Sequence, residues 1–203
     1  MFKADQNVQN QRINRVSVLL LAVVLVSCIL SGCGSTAQNG GGAQDAGPGF
    51  FEDSGIEQFA LSSEDLHDGV WDSVITKTDK GENKSPQLSW KPVDGAQSYV
   101  VYMVDTSAGN WIHWKSDYIT GTELVRGSAA KEEYVGPYPP NGTHTYEVYV
   151  IALKKPVEKI KGLFDNADGD IAEKMLSLET AEDGSEGNIA GFGHIVGTYT
   201  KGE

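Results

Sequence analysis

The sequence predicts an all-β domain, an antiparallel β-sandwich decorated by a few short helices. Three observations predict it. Two runs rich in β-branched and aromatic residues, Ser98–Asp105 and Thr145–Leu153, are apolar almost without interruption. That pattern marks central strands covered on both faces. Turn-forming residues divide the chain at Asp94-Gly95, Ala108-Gly109-Asn110, Gly136-Pro137, Pro139-Pro140 and Asn141-Gly142. A single stretch, about Asp170 to Leu178, places Ile171, Met175 and Leu178 on one helical face. Many strands followed by one late helix fit two layers of antiparallel sheet.

The elements follow in chain order. Residues 1–32 read as a signal peptide. Lys3, Arg12 and Arg15 precede a 15-residue apolar run, Val16–Leu30. A membrane-spanning helix needs roughly 20 apolar residues, so the run suits a leader better than a span. It ends in Leu30-Ser31-Gly32-Cys33, a pattern that resembles the lipobox of bacterial lipoproteins. There the cysteine thiol is acylated and the chain is cut just before it, which makes Cys33 the expected lipidation site. Cys28, the other of the two cysteines, falls in the part removed. Residues 33–49 carry no large apolar side chain and are expected to be a flexible linker. The folded domain is expected over 50–203, long enough for one core. Shorter strands are predicted at Gln58–Leu61, Leu88–Lys91, Ile112–Ile119 and Ile195–Thr200. The glycine- and acid-rich stretch Ala181–Gly193 reads as a surface loop.

Charge narrows the partners. The chain holds 16 basic and 28 acidic residues, a net charge of −12. The leader contains three of the bases and one of the acids, so a chain beginning at Cys33 carries −14. Nucleic acid is excluded, because its binding needs a basic patch. Polybasic adhesion to anionic lipid is excluded on the same ground. Membrane attachment then has to come from acyl chains on Cys33, on the extracytoplasmic side of a bacterial cell membrane.

Two of the four histidines stand in distinctive surroundings. His113 lies in Trp111-Ile112-His113-Trp114, and strand alternation sends it away from Ile112 and Trp114. His144 follows the turn-rich Gly136-Pro-Tyr-Pro-Pro-Asn-Gly-Thr143, which can fix a histidine and backbone N–H groups around a small concavity. His67 reads as part of a solvated turn and His194 as a surface residue. Asp165-Asn-Ala-Asp-Gly-Asp170 lacks the spacing and the closing glutamate of a calcium loop and reads as a helix-capping acidic turn.

Taken in order, Ser85-Pro-Gln-Leu-Ser-Trp90, Ser98–Asp105, Trp111-Ile-His-Trp114 and Gly136-Pro-Tyr-Pro-Pro…His144-Thr-Tyr146 resemble the phosphatidylethanolamine-binding protein family, in its bacterial Raf-kinase-inhibitor-like branch. The resemblance implies a β-sandwich with Greek-key connections and a small pocket for an anion, typically a phosphoryl group. It places Asp105, His113, Gly136, His144 and Tyr146 at that pocket. Asp105 would orient a histidine, and backbone N–H groups of the Gly136 loop would complete the cradle. The chain departs from the family pattern after Asp105, where Thr106-Ser-Ala-Gly-Asn110 replaces a longer loop and a second acid. It departs again at Thr145, where the family often has arginine. The implied function is non-enzymatic binding of a small anionic ligand, with no cofactor and no metal. Two alternatives stand beside it. One is a protein-interaction or inhibitor module with a vestigial pocket. The other is a divalent-metal hydrolase using Asp105, His113 and His144.

Overall fold

This computed structural model describes residues 47–202. The signal peptide, Cys33 and the linker up to residue 46 lie outside the described residues. The strands are β1 (Gln58–Phe59), β2 (Leu61–Ser62), β3 (Leu66–His67), β4 (Val70–Trp71), β5 (Leu88–Trp90), β6 (Ser98–Asp105), β7 (Trp111–Ile119), β8 (Glu123–Leu124), β9 (Thr143–Leu153) and β10 (Ile189–Thr200). One short helix, α1 (Ile171–Leu176), continues into a 3-10 turn at Ser177–Glu179. The predicted helix is present but shorter. Asp170 stands at its N-cap without a side-chain hydrogen bond.

The large sheet runs β3-β4-β10-β9-β6-β7, with β1 also on β10. A second sheet, β2-β5-β8, has three strands. The long pairs β10–β9, β9–β6 and β6–β7 are antiparallel. However, β1 and β4 both join β10 in parallel, so the purely antiparallel arrangement expected from the sequence is corrected to a mixed sheet. Each contributes only one or two residues to the outer edge of β10. Pieces this short cover unpaired edge groups, and their side-chain pattern carries no signal of direction.

Alternation along β6 and β9 builds two cores. Tyr99, Val101 and Met103 join Tyr146, Val148 and Val150 on one face, where Leu61, Leu88 and Trp90 of the small sheet pack. Val100, Tyr102 and Val104 join Tyr149 and Ile151 on the other, beneath Ile171 and Met175 of α1. Each such side chain, fully buried, stabilises the fold by roughly 1.5–3 kcal/mol. Coverage on both faces is why these strands are apolar throughout.

Two further expectations are corrected. Strand β10 begins at Ile189, inside the predicted surface loop. Its glycines are there for close approach, not for turning: a Cβ on Gly193 would run into Phe59 and Leu61. The last linker residues are also not free. Gly47–Phe51 forms a strap against the second core, with Phe51 buried and stacked on Phe192 at 4.4 Å.

Candidate functional site

Strand register brings Asp105 and His144 together. Asp105, the last residue of β6, pairs with Tyr146 of β9. His144 lies two residues earlier on the same face of β9. Its Nδ1–H donates to Asp105 Oδ2 at 2.6 Å. The other oxygen, Oδ1, accepts the Ser107 N–H at 2.9 Å within a 3-10 turn, Thr106–Ala108. Gly109 then reverses the chain with a left-handed φ of 64°. The shortened connection after Asp105 is therefore a tight turn that holds this carboxylate from below.

His113 is placed by a β-bulge. Met103 pairs with Trp114 and Val104 with Ile112, so His113 is the extra residue of β7. Bulges re-aim side chains beside functional sites. Ile112 packs into the second core, while Trp114 lies in the first, with Tyr146. The His113 ring meets Tyr146 edge-on at 5.3 Å, so His113 and Trp114 share a face, where strict alternation would separate them. The Nδ1–H of His113 donates to the Val135 carbonyl at 2.7 Å. Burial pushes its pKa down, against the pull of that carbonyl and of the Asp105 and Asp165 charges.

These side chains enclose a concavity of about 210 Å³, with Asp105, His113, His144 and Tyr146 as its polar part. Trp111, Tyr138, Pro139, Pro140 and Ala108 form the remaining wall. Both imidazoles have Nδ1 engaged inside the protein, so Nε2 is the nitrogen each has left for a ligand. Tyr146 is fully buried, and its hydroxyl meets no partner in hydrogen-bond geometry. Burial and the neighbouring Asp105 charge push that phenol far above its ordinary pKa. Larger clefts, of about 430, 360 and 330 Å³, lie elsewhere among the described residues and contain no histidine.

Four of the five predicted pocket residues thus meet. Gly136 does not line the concavity. Its N–H donates to Asn83 Oδ1 at 2.7 Å and is not available to a ligand. A Cβ there would collide with the Ile75 carbonyl, so this glycine serves packing. Sequence reasoning missed Val135, which fixes the His113 tautomer. It also missed Asp165, whose Oδ1 accepts from both Trp111 Nε1–H and Tyr138 Oη–H at 3.1 Å. Nothing in the local sequence links residue 165 to 111 and 138; only the fold does. His194 is a correction too: it is 5% exposed, not a surface residue.

Residues 62–200 match the profile of the family described as phosphatidylethanolamine-binding protein. The chain belongs to that family. It is 31% identical over 143 residues to a UPF0098 protein of Methanothermobacter thermautotrophicus, covering 60% of this chain and 86% of that one. Among solved structures it is similar to a phosphatidylethanolamine-binding protein homologue from Chlamydia trachomatis (22% identity, TM-score 0.55, 71% of this chain and 99% of that one). It is also similar to the Escherichia coli family member YbcL (24% identity, TM-score 0.52, 70% and 98%). At these identities the two structures establish the fold: a mostly β phosphatidylethanolamine-binding protein domain with one short helix. The family resemblance read from the ordered motifs is borne out.

Proposed function

We propose that this chain is a non-enzymatic binding protein whose Asp105/His113/His144/Tyr146 pocket takes a small anionic or phosphoryl group. One observation carries the reading. Two imidazoles each have Nδ1 engaged within the protein and present Nε2 to one concavity, beside a buried tyrosine hydroxyl without a partner. An unpaired buried hydroxyl costs about 1–3 kcal/mol, so a ligand that bonds it is favoured. To hold an anion, Nε2 must carry a proton. Because Nδ1–H is already donated, that proton makes the ring an imidazolium. Burial opposes this at His113, so the proton arrives from solvent or with the ligand, and binding strengthens as pH falls.

The metal-hydrolase alternative fits the donor set less well. Asp105 would be the third ligand, and both its oxygens are engaged, by Ser107 N–H and His144 Nδ1–H. For location we propose attachment by a lipid on Cys33 at the extracytoplasmic face of a bacterial membrane, supported by the Leu30-Ser-Gly-Cys33 pattern behind a basic, then apolar, leader.

Inorganic phosphate titrated into the full-length chain, followed by NMR of the histidine side chains, tests the pocket. His113 and His144 are expected to shift together, and more strongly at pH 5.5 than at pH 7.5. Silence of both at every pH would leave a vestigial pocket. For the tether, Cys33→Ser is expected to move the protein from the membrane fraction to the soluble fraction, and continued membrane retention would overturn the anchor.

A further inference from the structure

The pocket has two unlike halves. Among the lining side chains, the groups left to bond an anion are the two Nε2 atoms and the Tyr146 hydroxyl; Lys77 Nζ stands over the Tyr138 ring at 5.4 Å without itself lining the pocket. The rest of the wall is Trp111, Tyr138, Pro139, Pro140 and Ala108, and no lysine or arginine lines it. A bare oxyanion would occupy the polar end and leave the aromatic half against water. Ligand sites of this composition, apolar walls around a few convergent polar groups, orient a ligand by its polar tip and hold it by its body.

The aromatic half is also anchored. Trp111 comes from β7 and Tyr138 from the loop after Gly136, two separate elements. One oxygen, Asp165 Oδ1, accepts a hydrogen bond from each ring at 3.1 Å. Asp165 is itself fixed. Its N–H donates to the Ile112 carbonyl at 2.9 Å, and Ile112 N–H donates to the Asn166 carbonyl at 3.0 Å. Its own backbone is left-handed, with φ of 52°, a conformation uncommon outside glycine. The chain accepts that conformation where the carboxylate reaches both rings. A shared acceptor from a third element sets the spacing between the two rings.

We infer that the anionic group this pocket takes is carried on a flat, apolar body that lies against Trp111 and Tyr138, with Asp165 as the positioning residue that holds those two rings. This rests on the anion-pocket reading above and names the ligand class within it. Asp165 touches the rings and not the ligand. Flat contact with an aromatic side chain is a gain available to a planar body and not to a methyl group.

The test compares ligands that share one phosphoryl group and differ in the body that carries it, on the full-length chain. Inorganic phosphate, methyl phosphate and phenyl phosphate are titrated calorimetrically at pH 6. Phenyl phosphate is expected to bind about tenfold more tightly than methyl phosphate. Asp165→Ala should bring that ratio to about threefold or below, while Asp165→Asn, which keeps an Oδ1 acceptor, should restore it. The ratio is the readout because losing the Asp165 charge helps every anion alike, in both variants. Tyr138→Phe, which removes only a hydroxyl, provides a second variant that releases one ring, and its ratio should fall between the two. Equal affinities in the unaltered chain would overturn the inference, as would a ratio that Asp165→Ala leaves unchanged. If no phosphate binds between pH 5.5 and 7.5, the anion-pocket reading itself fails, an outcome distinct from equal binding.

Discussion

Strand β9 separates two histidine clusters that resemble each other in composition and differ in what they leave open. On one face, His144 and Tyr146 meet Asp105 and His113. On the other, Glu147 and Tyr149 meet His194. The Nδ1 of His194 is engaged with the Gly47 carbonyl at 2.6 Å and its Nε2 with Glu147 Oε2 at 3.0 Å. The Tyr149 hydroxyl donates to the same carboxylate at 2.5 Å and accepts the Phe50 N–H at 3.1 Å. The Tyr149 and His194 rings stack at 4.2 Å. Both ring nitrogens of His194 and the Tyr149 hydroxyl are matched. Across the strand, each ring keeps one nitrogen and Tyr146 keeps its hydroxyl. A histidine with both nitrogens engaged belongs to the architecture. A histidine with one nitrogen engaged is oriented by the protein and available to something else.

The contrast can be broken by substitutions on either side. The largest effect is expected from His194→Ala, which removes a partner of the half-buried Glu147 carboxylate, empties a buried site and abolishes the ring stack. It should cost about 3 kcal/mol of stability, read from the denaturant midpoint, and leave phosphate affinity within about twofold. A large loss of affinity per folded molecule would mean that the two faces are coupled. Gly136→Ala comes next. Its Cβ meets backbone at Ile75 and Thr76, so a loss of about 2–3 kcal/mol is expected, with no specific loss of binding. His144→Ala should lower stability by only about 1 kcal/mol while weakening phosphate binding by more than tenfold. Tyr146→Phe sharpens the comparison most. Removing an unpartnered buried hydroxyl should leave stability unchanged or raise it by up to about 1 kcal/mol, and binding should still weaken several-fold.

Acid provides a further probe of the open face. His113 has a folded-state pKa below that of the unfolded chain because burial disfavours its charged form. Below the ordinary histidine value of about 6.5, the unfolded state therefore holds more protons, and stability falls as pH drops. The contribution is fully present above that value. Denaturant midpoints from pH 7.5 to 5.5 should fall more steeply for the unaltered chain than for His113→Gln. Added phosphate should flatten the slope, because an anion on Nε2 favours the protonated ring.

How much of this was legible in the sequence depended on what each residue packs against. Strands β6 and β9 were legible because both faces are covered, which writes continuous apolar runs. The first half of β10 was not: Gly191 and Gly193 exist for close packing, and glycine reads as a loop. His194 sat among those glycines and was misread with them. Asp105, His113, His144 and Tyr146 were legible as members of ordered motifs. Asp165 was not, since its partners lie 54 and 27 residues away and its neighbours suggest only a polar turn. Gly136 was legible as important but not as structural, because the same residue type serves a ligand cradle and a crowded backbone equally well. The parallel entry of β1 and β4 left no trace in pattern at all.

The strap at Gly47–Phe51 gives the domain a defined load path. A pull on whatever precedes Gly47 is taken first by the His194 hydrogen bond and by Phe51 wedged against Phe192. Both transmit it to β10 and the core beneath α1. The bulge on β7 and the turn after Asp105, which set the pocket, lie off that line. Force arriving through the N-terminal segment would thus load the closed face of the sheet before the open one.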